Sequence, residues 1–104
     1  MIKIEFREKE KKSIAYDLDK QIGECDFEET NDTWNITHTE VDSAYGGQGI
    51  AKKLVESVIQ NANIRNKKLE ATCSYAKKLI EKIWEIRKVN KIKKIYFWYN
   101  KYKL

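Results

Sequence analysis

The chain has 104 residues, of which 41% are hydrophobic and 36% are charged. This length is sufficient for one hydrophobic core, and the apolar content argues against a disordered chain. No segment has the roughly 18 consecutive apolar residues of a membrane span. Residues 1–6 alternate apolar and charged side chains, unlike a signal peptide. We therefore expect one domain over residues 1–104, in the cytoplasm and without a membrane partner.

Cys25 and Cys73 are far apart and lack Cys-x-x-Cys spacing, and His38 is the sole histidine. This pattern favours free thiols and no metal site. The net charge of +5 is concentrated in residues 77–104, which carry ten Lys/Arg and two Glu. We expect a solvated basic surface there, because lysines commonly line exposed strand edges. The alternative is nucleic-acid binding through the cations and stacking aromatics Lys91, Lys93, Lys94, Tyr96, Phe97, Trp98, Tyr99, Lys101, Tyr102 and Lys103.

Four runs with a period of two predict strands near residues 2–6, 14–18, 22–27 and 33–41. In the fourth run, strict alternation gives two faces. One face would carry Trp34, Ile36, His38 and Glu40, and the other would carry Asn35, Thr37, Thr39 and Val41.

The period then changes to that of an amphipathic helix of four to five turns, with an apolar stripe formed by Ile50, Ala51, Leu54, Val55, Val58, Ile59 and Ala62. Residues 69–73 predict a fifth strand, parallel to the fourth because the connection is a helical crossover. Ser74 is placed to cap a second helix, and residues 92–99 predict a last strand. The elements predict an α+β fold, with a mixed, mostly antiparallel sheet.

Residues 46–51, Gly-Gly-Gln-Gly-Ile-Ala, connect the fourth strand to the first helix. Unpaired N–H groups at a helix N-terminus and glycines that permit close approach together favour a pyrophosphate site. Lys52 and Lys53 in the first turn oppose the helix dipole unless an anion neutralises them. A tight turn alone would also explain two of the glycines. The segment lacks the Gly-Lys-Ser/Thr ending of a P-loop and the acidic partner of a Rossmann fingerprint.

Three segments together resemble a known family: His38-Thr39-Glu40-Val41, residues 46–55, and Cys73-Ser74-Tyr75-Ala76-Lys77. They are similar to small, single-domain members of the GNAT acetyltransferase superfamily, over roughly residues 12–83. Gly49 and Ala51 match the last two anchors of the GNAT signature Gln/Arg-x-x-Gly-x-Gly/Ala, whereas Gly46 stands in place of Gln/Arg. The similarity fades after about Trp84, so residues 85–104 are atypical.

The resemblance implies a minimal GNAT fold with a parallel pair of fourth and fifth strands and two helices. It also implies acetyl-CoA as cosubstrate and transfer of its acetyl group to an amine that the sequence does not identify. A backbone N–H within residues 40–42 would polarise the thioester carbonyl. The implied CoA-binding residues are Val41, Gly46, Gly47, Gln48, Gly49, Ile50, Ala51, Lys52, Lys53, Cys73, Tyr75 and Lys77.

Four side chains are candidates for the chemistry. Cys73 precedes a helix whose dipole, with Lys77, favours a thiolate. Its sulfur could accept the acetyl group, protonate the leaving CoA thiolate or form a mixed disulfide with CoA; alternatively the thiol only packs. His38 and Glu40 are expected on one strand face, where either could take the amine proton or be an ordinary exposed residue. Tyr75 could protonate the leaving thiolate, line the pantetheine channel or pack.

We expect Cys25 to be structural, because no charged helix end lies near it in the sequence. A non-catalytic acyl-CoA-binding module is the main functional alternative. It is kept open because the chain lacks the extra N-terminal helices that usually build an acceptor pocket in the superfamily.

Overall fold

The computed structural model describes residues 1–90, with side chains for residues 1–82. The elements in chain order are β1 (Ile2–Arg7), β2 (Lys12–Asp17), β3 (Lys20–Thr30), β4 (Thr33–Val41), a 3-10 turn (Ser43–Tyr45), α1 (Ile50–Ile64), β5 (Lys68–Ala71) and α2 (Ser74–Asn90). The predicted order from the first strand to the second helix is confirmed. The strand predicted at residues 92–99 lies outside the described residues. No described helix is long and apolar enough to cross a bilayer.

The strands form one sheet in the order β1-β2-β3-β4-β5. All neighbours are antiparallel except β4 and β5, which are parallel. This mixed sheet with two helices confirms the predicted fold class. The parallel pairing ends where Ile36 meets Ala71, although β4 continues to Val41. Within the described residues, β4 therefore has no strand beside residues 37–41 on its β5 side.

Close contacts at Ser13 and Gly23 hold α1 against the sheet. Ser13 on β2 is fully buried, and its hydroxyl donates a hydrogen bond to the Leu54 carbonyl oxygen at 2.8 Å. On β3, a Cβ at Gly23 would lie 2.8 Å from the Glu40 carbonyl oxygen and 3.3 Å from Leu54 Cδ1. Only a residue without a side chain permits this approach. The first half of α1, and the loop before it, are thereby fixed relative to the end of β4.

The sheet face beneath α1 carries the main apolar core. Fully buried Trp34 and Ile36 of β4 pack with Leu54 and other apolar residues of α1. Phe6 and Phe27 stack with Trp34, with ring centroids 5.8 and 4.2 Å from it. Each large apolar side chain buried here contributes about 1.5–3 kcal/mol to folding. These contacts hold β4, which carries several of the candidate site residues, in the core.

A β-bulge in β4 changes the face that its residues present. The register with β3 pairs Phe27 with Ile36 and then Asp26 with His38, so Thr37 has no partner of its own. A bulge inserts one residue into the alternation, so side chains beyond it exchange faces. Ile36 and His38 therefore lie on opposite faces, although they are two residues apart.

The predicted common face of Trp34, Ile36, His38 and Glu40 is therefore wrong. Beyond the bulge, Thr39 pairs with the fully buried Cys25 and points toward the α1 side. His38 and Glu40 remain together, as expected, but on the opposite, solvent-facing side. Strict alternation could not reveal this exchange, because a bulge is set by the pairing with β3.

Candidate active site

The segment between β4 and α1 owes its shape to two glycines. Gly47 and Gly49 have φ angles of +78° and +74°, whereas Gly46 has an ordinary φ of −62°. Residues other than glycine enter the positive-φ region only with strain. A Cβ at Gly47 or Gly49 would meet no atom within 4 Å, so the space above both backbones is open. A ligand can therefore approach the main chain at these two positions.

The N-terminus of α1 opens onto the same space. Gly49 is the N-cap and supplies no side-chain hydrogen bond, and no acidic residue lies in the first turn. The N–H groups of Ile50, Ala51 and Lys52 begin the helix, where no preceding turn provides acceptors. Lys52 and Lys53 are exposed and add positive charge to that of the helix dipole. These groups fit an anion such as a pyrophosphate.

The turn that leads into the glycines is tied to the β2–β3 hairpin. The Tyr45 hydroxyl donates a 2.6 Å hydrogen bond to Asp17 Oδ2, and the amino group of Met1 contacts Asp17 Oδ1 at 3.1 Å. The hydrogen bond from Tyr45 lowers the pKa of Asp17 and raises that of Tyr45. Asp42 Oδ1 accepts the Ala44 N–H at 2.9 Å and caps the 3-10 turn. The loop thus starts from a fixed point.

Val41 offers a free backbone donor beside this loop. The Asp42 N–H donates to the Ile22 carbonyl oxygen of β3 at 2.7 Å. In an antiparallel pair, successive N–H groups point alternately toward and away from the partner strand. The Val41 N–H therefore points away from β3, toward the side where β5 has ended. Of residues 40–42, Val41 is the one that can donate to a ligand between the two strands.

Cys73 lies on the far side of that opening. Its N–H, like that of Thr72, donates to the Ile36 carbonyl oxygen, at 3.1 Å, which holds it against β4 just beyond the end of β5. Its own carbonyl accepts the Lys77 N–H at 2.9 Å. The first helical hydrogen bond ends on the N-cap residue. Cys73, and not Ser74 as predicted, therefore occupies the N-cap of α2, with its half-buried thiol at the positive end of the helix.

The other residues expected beside Cys73 lie on the first turn of α2. Tyr75 is 43% exposed. Partial burial, with a smaller contribution from Glu56 of α1 and from Cys73, raises the pKa of Tyr75 and keeps its hydroxyl protonated. Lys77 is exposed and lies one turn beyond Cys73. Both side chains are accessible to solvent.

His38 and Glu40 form a pair on the opposite face of the sheet. His38 Nε2 lies 2.9 Å from Glu40 Oε1, and the two side chains are 55% and 68% exposed. The hydrogen bond to Glu40 raises the pKa of His38, and the charges of Asp26 and Glu24 add to this effect. The pair can carry a proton near neutral pH.

Acidic residues surround this pair. Burial, together with a hydrogen bond to Glu24, raises the pKa of Asp26, and the same hydrogen bond lowers the pKa of Glu24. Lys12 Nζ lies 3.5 Å from Glu24 and 3.8 Å from Asp26. Beside the pair, a groove of about 330 Å³ is lined by Gln21, Ile22, Gly23, Glu24, Glu40 and Asp42. Its three carboxylates can bind a cationic ligand, in competition with Lys12 and with Lys20, whose Nζ lies 3.9 Å from Asp42.

Residues 11–89 match the sequence model of the GCN5-related N-acetyl-transferase family. The chain belongs to this family. Among curated protein sequences, none matches the chain.

Solved structures show the same GNAT fold. The solution structure of a GCN5-like protein from Staphylococcus aureus is 34% identical, with a TM-score of 0.63 over 80% of this chain and 81% of that chain. The NatC complex bound to Gag peptide and CoA is 28% identical, with a TM-score of 0.55 over 69% of this chain and 55% of that one. The ribosomal-protein-S18-alanine N-acetyltransferase from Escherichia coli, 19% identical, has a TM-score of 0.60 over 69% and 50% of the two chains. The last likeness concerns the fold alone.

The GNAT fold of this chain brings its candidate residues together in two groups. The open loop and helix N-terminus, residues 46–53, follow the end of β4 and the Val41 N–H. Cys73, Tyr75 and Lys77 lie at the start of α2, across the gap between β4 and β5. His38 and Glu40 belong to neither group, because the bulge turns them to the other face. No contact joins either of them to Cys73 among the described residues.

Sequence analysis missed one residue at the centre of this arrangement. The Thr39 hydroxyl lies 3.5 Å from Cys25 Sγ and 3.6 Å from Cys73 Sγ. The available signal was its place between His38 and Glu40 in the family-like segment. Alternation places Thr39 on the face away from Trp34 and therefore predicts no contact with a buried cysteine.

Proposed function

We propose that this protein is an acetyl-CoA-dependent N-acetyltransferase that acts on an amine. The observation that carries the proposal is the position of the open α1 N-terminus: it follows the end of β4, at the open end of the gap that begins where β4 and β5 separate at Ile36 and Ala71. An anion site at that place can hold the pyrophosphate of CoA, while the gap between the strands receives the pantetheine arm. The family to which the chain belongs supports the same assignment.

In the proposed complex, the pyrophosphate would accept hydrogen bonds from N–H groups of residues 47–52. Lys52 and Lys53 would neutralise its charge. Val41 would donate its N–H to the thioester carbonyl oxygen. A donor aimed at the negative charge that develops there lowers the activation free energy by about 3 kcal/mol. Gln48, Tyr75 and Lys77 would contact the remainder of the cofactor.

The amine nitrogen would attack the acetyl carbonyl carbon, forming a C–N bond as the C–S bond breaks. The nitrogen loses a proton, and the CoA thiolate gains one. Tyr75 is a candidate for the second transfer, because its raised pKa keeps the hydroxyl protonated. Cys73 is a candidate for the same role or for transient acetylation. His38 and Glu40 are candidates for the first transfer, from the acceptor side.

The acidic groove supports an amine as acceptor. Glu24, Glu40 and Asp42 line it close to Val41. Carboxylates at a groove raise the local concentration of protonated amines and accept hydrogen bonds from them. His38 at neutral pH can then relay the proton that the amine must lose before it attacks.

Thermal unfolding with CoA, acetyl-CoA and pantetheine tests whether residues 46–53 bind the pyrophosphate. CoA and acetyl-CoA should raise the melting temperature progressively with concentration, equivalent to about 2.7 kcal/mol at 100 times Kd. Pantetheine, which has the thiol arm without the pyrophosphate, should have a much smaller effect. Equal shifts from CoA and pantetheine would contradict the assignment of residues 46–53.

Turnover separates an enzyme from a binding module. Such a module is the second candidate, because β1 and β2 are joined directly by residues 8–11, without helices that could wall an acceptor pocket. The protein is incubated with acetyl-CoA and a panel of small amines, polyamines and peptides, and acetylated products are identified by mass spectrometry. Acetylation above the rate without protein supports the enzyme. Tight CoA binding with no product from any amine supports the module.

A further inference from the structure

Three polar side chains, from β3, β4 and the start of α2, form a chain beside the gap. Cys73 Sγ donates a hydrogen bond to Thr39 Oγ1 at 3.6 Å, and the Thr39 hydroxyl donates to Cys25 Sγ at 3.5 Å. These are ordinary distances for hydrogen bonds to sulfur, which is a weak donor and a weak acceptor. Thr39 therefore stands between the two thiols and touches both.

The fold fixes each member of this chain. Cys25 and Thr39 are direct cross-strand partners on β3 and β4, and the bulge at Thr37 turns Thr39 toward the core. Cys73 is held beside β4 by the hydrogen bond from its N–H to the Ile36 carbonyl oxygen. The contact between Thr39 and Cys73 crosses the stretch where β5 no longer accompanies β4. It therefore lies at the floor of the gap between the strands.

We propose that Thr39 is the positioning residue of the Cys73 thiol, and that Cys25, Thr39 and Cys73 form a hydrogen-bond chain that reverses direction when Cys73 loses its proton. With Cys73 as a thiol, donation runs from Cys73 to Thr39 to Cys25. With Cys73 as a thiolate, the Thr39 hydroxyl turns and donates to it, while the Cys25 S–H donates to the Thr39 oxygen. Both the thiol and the thiolate of Cys73 therefore keep a hydrogen bond with Thr39.

The reversal requires that Cys25 remain protonated throughout. Cys25 is fully buried, and burial raises its pKa to about 12, so its S–H persists at any pH at which Cys73 could ionise usefully. This property gives Cys25 a role beyond packing: it is the neutral end of the chain. The sequence predicts a structural role for Cys25, and the contact with Thr39 adds to that role.

Other titratable groups reach this chain from several elements. The charges of Cys73 and of Glu56 on α1 both act on Tyr75 of α2 and raise its pKa. Glu24 and Asp26 act on Cys25 from the opposite face of β3. None of these groups lies between the thiols, so replacing Thr39 removes the polar contact and leaves the surrounding charges in place.

Alkylation of the ligand-free protein tests the proposal. The rate at which iodoacetamide labels Cys73 is measured against pH, and peptide mass spectrometry reports Cys73 and Cys25 separately. Thr39→Val removes the hydroxyl at nearly constant volume and should move the midpoint of the Cys73 rate curve up by roughly one pH unit. Thr39→Ser, which keeps the hydroxyl, should restore the original midpoint. Thr37→Val is the matched control on the same strand, because the Thr37 hydroxyl contacts the Asp26 carbonyl oxygen and neither thiol.

A second comparison tests the part played by Cys25. Cys25→Ala alone should raise the midpoint of the Cys73 rate curve by a smaller amount, because Thr39 then loses the hydrogen bond that the Cys25 S–H donates to it. In the Thr39→Val background, the same substitution should add nothing, since Cys25 acts through Thr39. Circular dichroism and melting temperature verify folding, and Thr39→Ala replaces Thr39→Val if the valine variant does not fold.

Two results would overturn the inference. Identical Cys73 curves for Thr39→Val and Thr37→Val would remove Thr39 as a positioning residue. No effect of Cys25→Ala on its own would remove Cys25 from the chain. The importance of the chain for acyl transfer rests on the proposed function, but the alkylation curves contain no CoA and no amine. Failure here is therefore distinguishable from failure to detect acetylation.

Discussion

His38 Nε2 lies 2.9 Å from Glu40 Oε1, on the face of the sheet opposite α1. The two residues share a face because they are two apart on β4, and the bulge at Thr37 turns that face away from the core. The carboxylate stabilises the protonated imidazole, so the pKa of His38 is raised. This contact stabilises the folded protein below the ordinary histidine pKa of about 6.5, and the contribution is lost as pH rises through the folded pKa.

Glu40→Gln should lower the pKa of His38, because the amide no longer carries the charge that favours the imidazolium. An NMR titration of the imidazole protons measures this pKa directly, with Glu28→Gln on the neighbouring strand as a control. If His38 accepts the amine proton, turnover should increase as pH rises through its pKa, and Glu40→Gln should move that rise to lower pH. An unchanged titration in Glu40→Gln would show that the 2.9 Å contact does not persist in solution.

The two lysines at the start of α1 should contribute to CoA affinity rather than to stability. Lys52→Ala and Lys53→Ala should each weaken CoA binding by about 1 kcal/mol, or roughly fivefold in Kd, through loss of a charged partner for phosphate. Removal of these cations should leave the melting temperature equal or slightly higher, because they oppose the helix dipole. Isothermal titration calorimetry at two salt concentrations measures the effect.

Lys78→Ala supplies the matched control, since Lys78 is an exposed lysine near the N-terminus of the other helix. Its loss should leave CoA affinity unchanged. If all three alanine variants bind CoA alike, the phosphates are not at the α1 N-terminus.

The glycines before α1 should differ in their tolerance of a side chain. Gly49→Ala should destabilise the protein by about 1–2 kcal/mol, because alanine is strained at a φ of +74°. Gly46→Ala should be tolerated, since its φ of −62° is ordinary and its Cβ would lie 3.4 Å from the Ser43 carbonyl oxygen. Urea unfolding of both variants measures the difference. Equal stabilities would contradict the positive φ at Gly49.

Much of the fold follows from local pattern. The period-two runs and the apolar stripe beginning at Ile50 indicate the elements, and the strand-helix-strand order forces the parallel pairing of β4 with β5. The bulge at Thr37 follows from no local pattern, because it depends on how β4 aligns with β3. For this reason the pairing of His38 with Glu40 was predictable, whereas their separation from Ile36 was not.

The candidate site was predictable where backbone geometry dominates. The Gly-Gly-Gln-Gly segment before Ile50 indicates an open helix N-terminus, and Gly47 and Gly49 do adopt positive φ angles. Contacts between distant side chains were not predictable. The approach of Thr39 to both thiols, and of Tyr45 to Asp17, depends on tertiary packing that neither composition nor spacing encodes.

Cys73→Ala should distinguish a thiol that takes part in transfer from one that only packs. If Cys73 acts in the reaction, turnover falls while the affinity for CoA is kept, because the lost interaction belongs to the transition state. Bound CoA should also protect Cys73 from iodoacetamide, whereas Cys25 stays unlabelled until the protein unfolds. Unchanged turnover would remove Cys73 from the mechanism and leave His38, Glu40 and Tyr75 as the candidates.

Residues 46–53, at the N-terminus of α1, are proposed to bind the pyrophosphate of CoA. Titration of isotope-labelled protein with acetyl-CoA, followed by amide NMR shifts, tests it residue by residue. We expect the largest shifts at Gly47, Gly49, Ile50 and Ala51, with further shifts at Val41 and around Cys73. Pantetheine should shift only the amide signals of Val41 and of residues around Cys73. Saturable binding of acetyl-CoA with no shifts among residues 46–53 would contradict the claim.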